Sequence, residues 1–326
     1  MSRSAVPPPV TAVMDAASAW LPARLAEVER RLAEVAAGNG PELGGEAEAT
    51  LAAGGKRLRP LLVLICAGED ADRSAVQAAV SVELVHMATL VHDDVLDGAP
   101  VRRGRPTVVA RAGREAAVGV GDMLLSRAFA ELAEDGGEAS VSELSSASVA
   151  LAMGELAQRR DAYVTSTSEE RYLARCSLKT ARLFESACRV GRLASGRPGT
   201  EALAGFGREI GLAFQLLDDV LDVTGPPERT GKARGTDLLD GTVTLPLILA
   251  ITRDPQLASI DLRDLDAAEA ERICDLIAAT DALDQVRARA RDGIARAKAI
   301  LDGDEFSAEE RGLLALIADG VVERYS

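Results

Sequence analysis

IGLAFQLLDDVLDVTG, residues 210–225, is an apolar run that ends in three carboxylates, and LVHMATLVHDDVLDG, residues 84–98, ends in the same five letters. Apolar residues spaced by three and four make both runs amphipathic helices rather than strands. On a helix Asp93 and Asp97 share one face a turn apart, with Asp94 about 100° round, and Asp218, Asp219 and Asp222 repeat that pattern. A single cluster is easily a solvated helix end. Two copies, each closing an apolar helix, suggest two halves of one site.

Like charges this close repel, and the C-terminal end of a helix is itself unfavourable to anions. Cations must neutralise them. Magnesium fits because it takes oxygen ligands, keeps several waters, and is held by one or two carboxylates together with substrate phosphates. All six aspartates are therefore candidate metal ligands. Glu83 and His86 also match the Glu-x-x-His of di-iron bundles, but that site needs a second such pair. His86 and His92 are the only histidines, so the di-iron reading fails.

The rest of the chain supports a helical scaffold. Its 326 residues are 47% apolar but only 3% aromatic, a core of Ala, Leu, Val and Ile that helix packing tolerates well. Helical periodicity begins near Thr11 and recurs in AWLPARLAEVERRLAEVAA (19–37) and through most of the remaining chain. Breaks at 37–45, 68–73, 98–106, 134–138, 195–200, 225–241 and 302–306 divide it into about ten or more helices. The expected fold is all-α: one large helical bundle over residues 1–326 around a central cavity, with residues 1–10 as a flexible tail.

A net charge of -14 disfavours nucleic acid and anionic membrane surfaces as partners. The N-terminus is interrupted by prolines and no run approaches the ~20 residues of a membrane span. Cys66, Cys176, Cys188 and Cys274 are scattered, as buried thiols in a reducing compartment would be. A cytoplasmic protein without stable membrane insertion is expected.

In so acidic a chain, cations beside the carboxylates stand out. GAPVRRGRPT (98–107) follows the first cluster and TGPPERTGKARGTDLLDGTVTLP (224–246) the second. GGKRLRP (54–60) adds three cations behind two glycines, and His86 lies two turns before Asp93. Together these suggest anionic ligands held between metal and side chains.

At this point the sequence resembles the trans-isoprenyl diphosphate synthases of the polyprenyl synthetase family. GGKRLRP, ELVHMATLVHDDVLD, PVRRGRPT, VGDMLLSRAF, LKTARLF, FQLLDDVLD, GKARGTD and GTVTLP occur in family order from Gly54 to Pro246. The resemblance implies an isopentenyl diphosphate pocket at Gly55, Lys56, Arg59, His86 and Arg103. It implies a cluster of three magnesium ions on Asp93, Asp94, Asp97, Asp218, Asp219 and Asp222, holding an allylic diphosphate (dimethylallyl, geranyl, farnesyl or geranylgeranyl). Arg102, Lys179, Thr180, Gln215 and Lys232 match further contacts to that group, and a homodimer is implied as well. Many relatives have Lys where this chain has Thr242, so one charge near the allylic diphosphate is missing.

The implied reaction is ionisation of the allylic diphosphate, attack by the double bond of isopentenyl diphosphate, and proton loss, with Asp93, Asp94, Asp97, Asp218, Asp219 and Lys179 as the catalytic set. The loops at 98–106 and 225–241, with Gly231 and Gly235, are expected to close over the substrates and exclude water. Read backwards from Asp93, the lining of the product tunnel is Thr89, Ala88, Val85, Val82, Ser81 and Ala78, with Phe129 a candidate floor. None of the six is aromatic, and residues 78–93 span roughly 22 Å of helix, enough for about four isoprene units. Products beyond 20 carbons are expected. A shorter farnesyl or geranylgeranyl synthase, a class I terpene cyclase and a non-catalytic partner subunit are the rivals. A cyclase has no use for GGKRLRP, and partner subunits commonly lose aspartates that this chain keeps.

Overall fold

The computed structural model describes residues 8–55, 57–102, 104–135, 137–225 and 234–323. Among these the architecture is helical throughout, apart from one two-residue β-ribbon. The helices that position the site are α1 (Pro8–Ala16), α2 (Leu21–Ala37), α3 (Gly40–Ala52), α4 (Leu58–Ala67), α5 (Arg73–Asp97), α6 (Val108–Asp135), α7 (Gly137–Asp161), α8 (Glu169–Cys176), α9 (Arg182–Ser195) and α10 (Thr200–Thr224). Shorter helices and the long Ala282–Ile300 and Ala308–Glu323 segments complete the bundle.

α9 is the hub, packing against α4, α5, α7 and α10. α5 lies mainly on α6, and α10 on the 282–300 helix. With so few aromatic rings, the core is closed by aliphatic side chains such as Val80, Val82, Leu84 and Val85, all fully buried. Each contributes about 1.5–3 kcal/mol by leaving water.

Local chemistry fixes both ends of α5. Asp72 caps its start, the carboxylate accepting from the Ser74 amide at 2.8 Å. Gly98 ends it at φ 61°, a left-handed conformation that costs glycine little. α10 stops at Gly225, whose backbone is extended. The two DDVLD clusters therefore occupy the C-terminal turns of two helices.

Several boundaries differ from those read in the sequence. Helix begins at Pro8, inside the expected tail, because α1 packs on the Ala308–Glu323 helix. The break at 37–45 shrinks to residues 38–39, since α3 starts at Gly40. Residues 101–106 form a ribbon pairing Val101 with Pro106 and Arg102 with Arg105, and Thr236–Leu239 is a helical turn within the expected 225–241 loop. The statement that no run approaches a membrane span also needs correction. α5 is long and apolar enough by length and composition, although 83% of its most apolar window is buried inside the bundle.

Candidate active site

The two acidic helix ends meet. Asp93 and Asp97 from α5 and Asp219 from α10 line one cleft of about 200 Å³, with Arg102, Lys179, Thr180 and Gln215 on its walls. Those seven were picked out by the sequence. The other three aspartates of the motifs are not in the lining. Asp94 is 5% exposed and accepts from Arg102 Nε at 2.7 Å. Asp218 is exposed, and Asp222 accepts from the Asp237 amide at 3.2 Å. Helix geometry explains the division, because consecutive residues point about 100° apart and cannot all face one cavity.

Asp219 is 2% exposed. It accepts from the Tyr172 hydroxyl at 2.5 Å and from Gln215 Nε2 at 2.7 Å, and Gln215 Oε1 in turn accepts from the Thr180 hydroxyl at 2.7 Å. Burial, with repulsion from Asp237, still pushes the Asp219 carboxyl up to about 8. Asp93 is pushed up to about 6, by burial first, against the pull of Lys179. For both carboxyls burial is the largest cause.

Lys179 and Thr180 lie on a π-helical turn, Ser177–Ala181, between α8 and α9. Such wide turns are rare and frequently mark functional sites. Two glycines permit this one. A Cβ on Gly154 of α7 would sit 2.5 Å from the Lys179 amide nitrogen, and one on Gly211 of α10 would sit 2.6 Å from Ala181 Cα. The turn is thereby wedged between α7 and α10, facing the carboxylates.

Several site residues escaped the sequence reading. Glu155 pairs with both Lys179 and Arg159, and Arg159 pairs with Asp97. Burial raises the Glu155 carboxyl, but Lys179 and Arg159 outweigh it and hold it below its ordinary value. Tyr172, Arg175, Asp237 and Asp240 also line the cleft. In the sequence, Glu155 and Arg159 look like an ordinary i,i+4 surface pair, and Tyr172 carries no motif. Their spacing gave no sign of a shared cavity.

The isopentenyl side is partly described. Lys56 and Arg103, as well as Lys232 and Gly231 on the allylic side, lie outside the described residues. Gly55 is exposed, and Arg59 and His86 are half-buried. None of these three lines the cleft between the aspartates. Arg59 lies over the Phe184 ring, 4.4 Å from its centroid. The third cation of GGKRLRP has a different use. Arg57, left-handed at φ 48°, bonds Glu83 at 2.7 Å and Glu29 at 2.5 Å, tying the start of α4 to α5 one turn before His86. That is the employment of Glu83.

Ala78, Ser81, Val82, Val85 and Ala88 are buried in α5, and Thr89 is half-buried. Phe129 of α6 packs against the core.

The cleft offers carboxylate oxygens from two helices, two of them carboxyls with raised proton affinity. Among the described residues no three carboxylate, histidine or cysteine side chains form a ready-made metal group. The carboxylate oxygens are the donors a hard divalent ion takes, with water and ligand oxygens completing its shell.

The family model described as polyprenyl synthetase matches residues 41–277. The chain belongs to that family. Heptaprenyl diphosphate synthase component 2 of Geobacillus stearothermophilus is 39% identical over 301 residues, covering 90% of this chain and 93% of that protein. The all-trans-nonaprenyl-diphosphate synthase (geranyl-diphosphate specific) of Rhodobacter capsulatus is 37% identical over 77% of this chain and 79% of its own. Among solved structures, a polyprenyl synthase from Caulobacter crescentus complexed with calcium and isoprenyl diphosphate superposes with a TM-score of 0.90 at 36% identity, covering 97% and 98% of the two chains. As a polyprenyl synthetase family member, this protein is a transferase that elongates trans-prenyl diphosphate chains.

Proposed function

We propose that this enzyme is a magnesium-dependent, homodimeric, cytoplasmic synthase that condenses isopentenyl diphosphate with an allylic diphosphate into trans-polyprenyl chains longer than 20 carbons. One observation carries the reading: Asp93 and Asp97 face Asp219 across a cleft that Arg102, Arg159, Arg175 and Lys179 also line. Asp93, Asp97 and Asp219 would hold the metal, which supplies positive charge to a leaving diphosphate. Lys179, Arg102 and Arg159 add fixed charges, and Thr180 a hydroxyl, to orient that group. Their ion pairs with Glu155, Asp94 and Asp97 keep them in place before substrate arrives. The small residues Ala88, Val85, Ser81 and Ala78 behind Asp93 support a long product. So do relatives named heptaprenyl and nonaprenyl synthases, although a geranylgeranyl diphosphate synthase of Methanosarcina mazei is 35% identical.

Val149, Met153 and Leu156 of α7 form an exposed apolar stripe at 58%, 55% and 63% exposure, spaced by four and three on one helix face. Monomers seldom leave such a stripe uncovered, and a second copy of the chain is its proposed occupant. A different subunit has one observation in its favour, the name "component 2" carried by two relatives. Assay of the purified protein alone, with magnesium, labelled isopentenyl diphosphate and each allylic primer, tests the whole reading. Product of more than 20 carbons supports it. No condensation by the protein alone would refute it.

A further inference from the structure

We infer that Arg175 is a further cationic contact to the substrate's diphosphate, serving the stretch of cleft wall where Thr242 presents no charge. This rests on the prenyl-transfer reading above.

Arg175 is in the last turn of α8 and lies one turn before Lys179, and Tyr172, Arg175, Cys176 and Lys179 all line the cleft. Their spacing of three and four turns one face of this segment toward the carboxylates. The Arg175 guanidinium is 3% exposed and is fixed from two sides. It donates to the Val243 carbonyl at 2.6 Å, and its carbon lies 5.4 Å from the Tyr172 ring centroid. Val243 stands between Thr242 and Thr244, both cleft-lining, so the charge is delivered to the backbone beside Thr242.

A purely structural ion pair does not account for it. The carboxylate it pairs with, Asp161, is shared: Oδ2 accepts from Arg175 Nη1 only at the long distance of 3.5 Å, while Oδ1 accepts from Arg171 Nε at 2.6 Å. Arg102 has its carboxylate at 2.7 Å. Burying a guanidinium against so distant a partner costs free energy that an apolar side chain would avoid. An anion in the cleft supplies what Asp161 does not, and the planar fork of arginine suits phosphate oxygens.

The experiment measures inhibition by inorganic pyrophosphate and the KM for each substrate, with melting temperatures as a check on folding. Arg175→Gln should raise the pyrophosphate Ki and the allylic KM by about tenfold or more and leave the isopentenyl KM within about twofold. Adding Thr242→Lys to Arg175→Gln should recover most of that loss, which a merely structural role would not allow. A Ki unchanged in Arg175→Gln, or no recovery in a double variant that melts like the single, overturns the inference while wild-type turnover leaves the reaction class standing. If Arg175→Gln does not fold, Arg175→Lys takes its place. A lysine keeps the charge but lacks the planar fork that places paired donors on phosphate oxygens while another N–H holds the Val243 carbonyl, so its Ki should rise several-fold, and an unchanged Ki overturns the inference. If the wild type makes no prenyl product, the reading itself fails, and calorimetric titration with pyrophosphate still reports on the Arg175 contact.

Discussion

Tyr172 donates its hydroxyl to Asp219 Oδ2 at 2.5 Å, and both groups are buried. One helix, α8, thereby sets the orientation of a carboxylate on another, α10. Tyr172→Phe removes the donor and leaves a buried acceptor short of a partner, at a cost of about 1–3 kcal/mol. The turnover number should fall about tenfold or more, with the circular dichroism spectrum unchanged. Steady-state kinetics at saturating magnesium tests this.

Asp93 and Asp219 face the cleft, whereas Asp218 is exposed and outside its lining. Asp93→Ala and Asp219→Ala should each lower turnover by roughly two to three orders of magnitude while the helical fold persists. Asp218→Ala should have the smaller effect. Equal losses at 218 and 219 would show that the second motif rotates on ligand binding.

The carboxyls of Asp93 and Asp219 lie near 6 and near 8, against an ordinary 3.8. A folded-state value raised in this way favours the neutral acid. Its contribution to stability is full below the unfolded value and is lost as pH climbs through the folded one. Without divalent cation the melting temperature should therefore drop as pH rises from about 4, most steeply up to about 6, where both carboxyls contribute, and then on to about 8 through Asp219 alone. Magnesium with pyrophosphate should reverse the drop, and because binding must displace protons, apparent metal affinity should rise over the same range. Scanning calorimetry and isothermal titration measure the two effects.

Ala88 is 1% exposed on α5, one turn before His92 and Asp93. Ala88→Phe places a ring across the proposed tunnel, and overpacking a core position costs about 1–3 kcal/mol of stability. Products should become shorter by at least one isoprene unit, as read by chromatography of the dephosphorylated alcohols. An unchanged product distribution would mean that the chain grows in another direction.

Met153→Glu with Leu156→Glu puts two charges into the α7 stripe. Sedimentation velocity should show the proposed homodimer dissociating to monomer, with condensation activity reduced. A variant that remains dimeric shows that the stripe is not the interface.

The acidic motifs were legible because clustered charge on an apolar helix is a local pattern with its own chemistry, whereas the roles of the Lys179–Thr180 pair and Gln215 were implied by the resemblance of their motifs to those of the family. Arg57 shows where that reading stopped, since a cation that looked like a ligand contact is committed to Glu29 and Glu83. Glu155, Arg159, Tyr172 and Arg175 were missed because nothing within a few residues of them reveals what they face. Their partners are Lys179, Asp97, Asp219 and Val243, all on other elements and far away in the chain.

By itself the sequence determined that this chain is helical, that two helices end in carboxylate clusters, and which cations accompany them, since helical period and charge spacing are properties of neighbouring residues. Only the tertiary structure decided which half of each cluster turns inward, which cations are already tied to carboxylates, and which small residues let α7 and α10 close on the Lys179 turn. Those outcomes depend on how helices approach one another, and packing distances of a few ångströms are set by contacts between residues far apart in the chain.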